Sequence, residues 1–175
     1  NRFLNIRLSG VFVADDYNSE LGFVRRTDIF KINPQIELKF WPKNSKIQRH
    51  SFTVIPISIW RPELDFENSD YTIISRWEAN FLNSSQFRLE MFNRYTKLYD
   101  EFDPTRTENA IPLPADENYY YTSYNASFRS DRRKKISYRI NPSVGQFYNG
   151  KKYSLETSLS LRLQPYFSGS IQMNY

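Results

Sequence analysis

A single histidine, His50, stands among 175 residues that include no cysteine. A Ser-His-Asp triad or a multi-histidine metal site has at most that one member to draw on, and a Cys nucleophile, a thiolate metal site and a disulfide framework have none. As a polar residue at a strand edge, His50 reads as structural or solvated. Glycoside hydrolysis needs two carboxyl groups about 5–9.5 Å apart. Asp15-Asp16 and Asp100, Glu101, Asp103 supply carboxylates, but they fall in loops where nothing fixes their spacing. The plain reading of the stretch from Asp100 to Glu117 is a solvated acidic loop, and a bound cation is the sharper one. The five glycines are scattered singly, so no phosphate-cradling loop is present. Arg129, Arg132, Arg133, Lys134 and Lys135, with aromatic neighbours, form a basic run of the sort that nucleic-acid interfaces use. A net charge of +5 spread over the chain is weak support for such a partner. The run reads instead as a turn between strands whose charges meet lipid head groups or phosphates. No catalytic, metal-ligating or cofactor-binding residue, no cofactor and no nucleic-acid partner is expected.

What remains is a row of charges at every second position: Arg76, Glu78, Arg88, Glu90, Arg129, Arg139, Glu156 and Arg162. Such a row needs extended elements, because only a strand sends alternate side chains to opposite faces. Tyr71, Ile73, Ser75, Trp77, Ala79 and Phe81 oppose Thr72, Ile74, Arg76, Glu78 and Asn80. Phe87, Leu89 and Met91 oppose Arg88 and Glu90, and Tyr120 to Phe128 alternates with Ser123 to Arg129. The runs Ile136 to Val144, Leu155 to Leu163 and Gly169 to Tyr175 repeat the pattern, as do Ile6 to Phe12 and Ile36 to Phe40. The stretch Arg49 to Trp60 is apolar on both faces toward its end, which blurs its register. About nine strands result, with no stripe at helical period. The 30 aromatics sit oddly with a mean hydropathy of −0.67, unless apolar and polar residues alternate. The longest uncharged run, Leu163 to Tyr175, is too short for a membrane-spanning helix of ~20 residues.

The connections alternate in length. Ala14 to Lys31, Arg61 to Asp70, Lys97 to Asn118 and the hairpin around Asn149-Gly150 are taken as the long set; Asn149-Gly150 is itself a type I′ signal. Pro42 to Lys46, Asn83 to Gln86, Asp131 to Lys134 and Gln164 to Phe167 are the short set. This alternation, with a polar and an apolar face, predicts an all-β antiparallel transmembrane β-barrel of the bacterial outer membrane. The charged row then faces the lumen, where opposite signs pair across strands or line a narrow pore. Trp77, Phe81, Tyr120, Phe128, Tyr138, Leu161 and Tyr175 face lipid or form its interfacial girdles. An odd strand count leaves the first and last strands parallel, so residues 1–175 are expected to be one barrel domain or a fragment of a larger barrel. Asn1-Arg2-Phe3-Leu4 is neither a start Met nor a signal peptide, consistent with numbering that begins inside a longer polypeptide.

Two other readings stay open. In a soluble β-sandwich or barrel the apolar face turns inward, and exposed aromatics such as Trp41, Trp60 and Trp77 bind carbohydrate. A glycan hydrolase would use loop acids such as Asp103.

Several short segments carry a resemblance. These are Glu20 to Asp28 (ELGFVRRTD), Asp100 to Pro104 with Ile111 to Pro114 and Tyr119-Tyr120-Tyr121, Ser130 to Lys134 (SDRRK), and Gly145 to Lys151 (GQFYNGK). Together, from about Leu21 to Tyr175, they resemble the uncharacterised C-terminal barrel domain of Bacteroidota surface proteins that commonly carry a family 9-like carbohydrate-binding domain ahead of it. The resemblance implies an outer-membrane barrel continuing past Tyr175, with a structural, anchoring or solute-transport role. It implies a link to polysaccharide handling or to a larger outer-membrane complex, and partners among lipid, other outer-membrane proteins and glycans. It implies no catalytic residues.

Overall fold

Alternating sequences of this kind satisfy their backbone by pairing sideways, and here every pairing is antiparallel. A computed structural model describes residues 3–18, 27–43, 45–105 and 110–175. It holds eleven strands: β1 Leu4–Arg7, β2 Gly10–Val13, β3 Ile29–Ile32, β4 Gln35–Phe40, β5 Ile47–Arg61, β6 Glu67–Phe81, β7 Gln86–Lys97, β8 Asn118–Arg129, β9 Ile136–Phe147, β10 Gly150–Leu163 and β11 Phe167–Asn174. Among the described residues the one helical element is a 3-10 turn, Pro62–Leu64. The sheet order is β1-β4-β5-β6-β7-β8-β9-β10-β11, with β2 on β3 and β3 on β5. The sheet is open: β1 and β2 form one edge, side by side along β4 and β3, and β11 forms the other.

The expected nine strands are therefore eleven, and the excess has a local cause. The first run breaks at Leu8-Ser9, giving β1 and β2, and its neighbour breaks at Asn33-Pro34, giving β3 and β4. Ser9 O accepts from the Asn33 N–H at 2.8 Å, so the two breaks lie side by side. Strand β3, which pairs Phe30, Lys31 and Ile32 with Trp60, Ile59 and Ser58, falls inside the stretch expected to be a loop. The segment Glu20 to Arg26 of the resemblance lies outside the described residues. Two prolines sit inside strands, and each falls where the ladder lapses. Pro56 pairs with Ile73 of β6, but on its other side β5 passes from β4 to β3 without a partner at 55–57. Pro142 pairs with Leu155 of β10, opposite a lapse in β8–β9 pairing between Asn125↔Ser143 and Phe128↔Ile140. A residue without an N–H is tolerated in a sheet at such points.

The length alternation is looser than the sequence suggests. One end of the sheet carries the short turns 41–46, 82–85, 130–135 and 164–166, and the other carries 14–28, 62–66, 98–117 and 148–149. The connection at 62–66 is short because polar Glu67 to Asp70 prolongs β6: Asn68 Nδ2 donates to Ser58 Oγ (2.7 Å) and Ile59 O (3.1 Å), drawing the strand forward. The β9–β10 turn is centred on Tyr148-Asn149 rather than on Asn149-Gly150. Tyr148 takes the left-handed conformation (φ 53°), while Gly150 opens β10 without a positive φ.

Burial runs opposite to that of a water-soluble sheet. Along β5, Ser51 (3% exposed) and Thr53 (4%) are buried, while Phe52 (48%) and Val54 (44%) are exposed. In β4 the apolar Ile36, Leu38 and Phe40 are exposed and the intervening Gln35, Glu37 and Lys39 are half-buried. In β9 Ile136, Tyr138, Ile140 and Val144 are exposed while Ser137, Arg139, Asn141 and Ser143 are half-buried. Among the described residues the buried apolar side chains are only Ala79, Leu113 and Tyr121. The accessible surface, 12915 Å², exceeds by about two-fifths the ~9,000 Å² expected of a water-soluble monomer of 21.0 kDa.

Candidate functional site

The registers of β5 to β10 bring the polar positions into rows on one face. Thr53, Arg76, Glu90, Asn125, Ser143 and Ser154 lie side by side, as do Ser51, Glu78, Arg88 and Ser127 one step along. Opposite charges meet within these rows. Arg76 Nε donates to Glu90 Oε1 at 2.6 Å, and Arg88 Nη2 and Nε donate to Glu78 Oε2 at 2.8 and 3.1 Å. Asn80 Nδ2 (3.1 Å) and Arg49 Nη2 (3.5 Å) reach the other Glu78 oxygen. Farther across, Ser127 Oγ donates to Asn141 Oδ1 (2.6 Å) and Arg129 Nη2 to Gln86 Oε1 (2.7 Å). The two glutamates are the well-covered members, at 9% and 13% side-chain exposure, each held by guanidinium donors. Cross-strand pairs of this kind fix register and keep charges compensated where water is limited.

The row changes character in two directions. Toward the end bearing 98–117, β5, β6 and β7 set Ile55, Ile74 and Phe92 side by side on this same face. Arg94 lies over the Phe92 ring at 4.5 Å and donates to Ser123 Oγ at 2.7 Å. Beyond it Tyr121 stacks on Tyr148 (5.2 Å), Phe102 packs on Tyr148 (5.4 Å), and Phe102 bridges to Leu113. The long connection therefore seats an apolar cluster at that end. Ile55, from the stretch Val54 to Ile59 that is apolar on both faces, joins Ile74 and Phe92 on the polar face. Toward the short-turn end the side chains lining the face are arginines and serines. Arg129 of β8 lies directly opposite Arg139 of β9, and a cavity of about 300 Å³ beside them is also lined by Arg132 and Arg162.

At the ends of the strands, charged groups knit strands and loops together. Arg61 Nε meets Asp28 Oδ2 at 3.0 Å, and the Glu63 N–H donates to Asp28 Oδ1 at 3.1 Å. A hydrogen bond shared with the Asp15 carboxyl, reinforced by their like charge, raises the Glu63 carboxyl above its ordinary range. Tyr99 donates to Glu67 Oε2 (3.0 Å); burial, then that bond, pushes its phenol up to about 12. In the 130–135 turn, Arg133 donates from Nε and its backbone N–H to Asp131, holding that carboxyl below the usual range.

All eight residues of the charged row occupy this polar face by register and alternation. Arg76, Glu78, Arg88 and Glu90 are drawn into one paired cluster, and Arg129, Arg139 and Arg162 line one cavity at the short-turn end. Glu156 is exposed, paired in register with Asn141 and Asn174. Trp77, Phe81, Tyr120, Phe128, Tyr138 and Leu161 occupy the opposite, apolar face, and Tyr175 closes onto the Leu155 backbone beside it. Rings on this face gather in two bands. Tyr71, Tyr95 and Tyr120 stack in series (5.3 and 4.9 Å) near one end, and Phe40, His50, Phe87 and Phe128 share a row near the other. His50 is structural there: its ring packs on Phe40 (5.3 Å) and its Nδ1 accepts from Trp77 Nε1 at 3.5 Å. Asp103 Oδ1 accepts from the Thr105 N–H and hydroxyl, closing a local turn. Among the described residues no cluster of three or more His, Asp or Glu side chains is placed to hold a metal ion. Reasoning from charge alone passes over Gln86, Asn125 and Asn141, whose signal is a polar residue at the alternate position of a strand. No family model, curated protein or solved structure matches the chain.

Proposed function

We propose that this chain forms the wall of a transmembrane β-barrel of the bacterial outer membrane, with a structural, anchoring or solute-transport role. The observation that carries this reading is the inverted burial of β4, β5 and β9, where serines, threonines and charges are covered and leucines, isoleucines and aromatics are open. In water that arrangement leaves a large apolar face unpaid, whereas in lipid it is the stable one. Two dimensions support it. Strands β6 to β10 have 12 to 15 residues, enough to cross a bilayer at a tilt. The aromatic bands stand eight residues apart on β7 (Phe87 and Tyr95) and on β8 (Phe128 and Tyr120). Eight residues span about 27 Å along a strand, or about 21 Å across the membrane at a ~40° tilt, near the ~25 Å apolar band of such barrels. The polar face then lines the lumen, and the paired Arg76–Glu90 and Arg88–Glu78 clusters brace it. The antiparallel edges require further pairing for closure, from strands of the same polypeptide or of a partner in the outer membrane. The resemblance adds a link to polysaccharide handling.

The test is insertion. The chain folded into vesicles should show Trp77 fluorescence quenched by lipids brominated in mid-chain, and it should need detergent to stay dispersed. A monodisperse preparation in plain buffer with the same strand content, unquenched by such vesicles, overturns the reading in favour of a soluble module.

A further inference from the structure

Four arginines converge at the short-turn end of the polar face, and among the described residues no carboxylate lines the cavity they surround. Arg129 and Arg139 are direct cross-strand partners on β8 and β9, a placement that sets like charge against like charge. Arg132 joins them from the 130–135 turn and Arg162 from β10, all lining one cavity of about 300 Å³. Elsewhere on this face Arg76 is matched by Glu90, and Arg88 and Arg49 by Glu78, while Arg94 at the other end lies on the Phe92 ring and bonds the Ser123 hydroxyl. Here the hydrogen bond Arg129 makes is to the neutral Gln86 amide oxygen, at 2.7 Å, and Glu78 in the adjoining row is committed to Arg88 and Arg49. The nearest acid in the turn, Asp131, is committed to Arg133. The remaining lining is hydroxyl-rich, with Ser158 opposite Arg139 and Ser160 opposite Ser137.

We infer that this cavity is a binding site for an oxyanion of the phosphate class, held by the guanidinium groups of Arg129, Arg139, Arg132 and Arg162 with serine hydroxyls as further donors. Guanidinium forks match phosphate oxygens two at a time, and an anion between Arg129 and Arg139 turns their repulsion into two attractions. The volume exceeds what an ion alone needs, since a water takes ~30 Å³, so a phosphorylated solute or a lipid phosphate fits as well as free phosphate. The site follows from the register of β8, β9 and β10 and holds whether lipid or water bathes the other face, so the quenching test above and the test below fail independently.

The experiment is calorimetric titration of inorganic phosphate into the full chain, folded in an uncharged detergent at constant ionic strength, with chloride as the control anion. Phosphate should bind, chloride should not compete at equal ionic strength, and Arg139→Gln and Arg162→Gln should each weaken binding about tenfold, the loss of one charge-assisted contact. Lys151→Gln, at the opposite end, should bind as the parent does. Arg162 is exposed, so its variant keeps the test usable should Arg129→Gln or Arg139→Gln misfold. Phosphatidylglycerol vesicles that displace inorganic phosphate, where phosphatidylcholine vesicles do not, identify a lipid headgroup as the occupant; no displacement identifies a free anion. Absence of phosphate binding, equal binding of chloride, or affinity unchanged in Arg162→Gln overturns the proposal.

Discussion

A carboxylate on the polar face is only as stable as the guanidinium that covers it. Glu90 is nearly enclosed and takes its shortest bond from Arg76, with Asn125 Nδ2 at 3.4 Å on its other oxygen. Glu90→Ala should cost about 1–3 kcal/mol, because Arg76 is left without its partner and Asn125 loses an acceptor. Glu90→Gln should cost less, and urea unfolding of both variants in vesicles measures the difference. The Asp131 turn gives a pH-dependent counterpart. Its carboxyl is depressed in the folded chain by Arg133, so the turn's contribution is complete above the ordinary value of ~3.9 and is lost as pH falls through the lower folded one. The ¹³C carboxyl resonance of Asp131 should titrate below ~3.9 and return toward it in Arg133→Gln. Titration at the ordinary value in both proteins refutes the pairing.

At the level of elements, close approach between strands sets a sharper limit than side-chain chemistry. Gly145 of β9 lies opposite Ser123 of β8, and an added Cβ would collide with the Ser123 backbone and stand 2.6 Å from Thr122 O. Gly145→Ala should destabilise the β8–β9 pair by roughly 1–3 kcal/mol and expose its amides to faster hydrogen exchange, while Gly150→Ala, with its nearest contact at 3.6 Å, should not. The strands themselves were readable, because period two is written in residue types from Tyr71 to Phe81 and from Leu155 to Leu163. Strand β3 was not, since four residues, Ile29–Ile32, carry no measurable period inside a long connection. Neither was the Arg129–Arg139 opposition. It depends on how many residues the 130–135 turn consumes before β9 returns, and a one-residue difference would send Arg139 to the other face.

For the molecule as a whole, the sequence distinguishes two faces but not which of them is covered. Alternation reads the same in a sandwich and in a membrane barrel. The burial of Ser51 and Thr53 against the exposure of Phe52 and Val54 is the observation on which the proposed barrel rests. Val54 shares its row with Ser75, Met91, Tyr124 and Val144, midway between the aromatic bands. Val54→Arg should therefore destabilise the vesicle-inserted protein by about 2–4 kcal/mol, the penalty for a cation at mid-bilayer depth, while Val54→Leu should be near neutral; reversible urea titration in vesicles distinguishes them. A soluble sheet with this face in water would tolerate the arginine.

The adjoining breaks at Leu8-Ser9 and Asn33-Pro34, with Pro56 opposite, carry a mechanical consequence. Load passed across the sheet between β5 and its neighbours is borne by two short groups of rungs, three from β3 and five from β4, with none between. The fourteen register pairs joining β5 to β6 form a far longer seam. The β8–β9 seam, five pairs with a gap of its own, is no stronger. Under lateral tension the sheet should yield along these two lines, leaving β5 to β8 as a stiff panel between them.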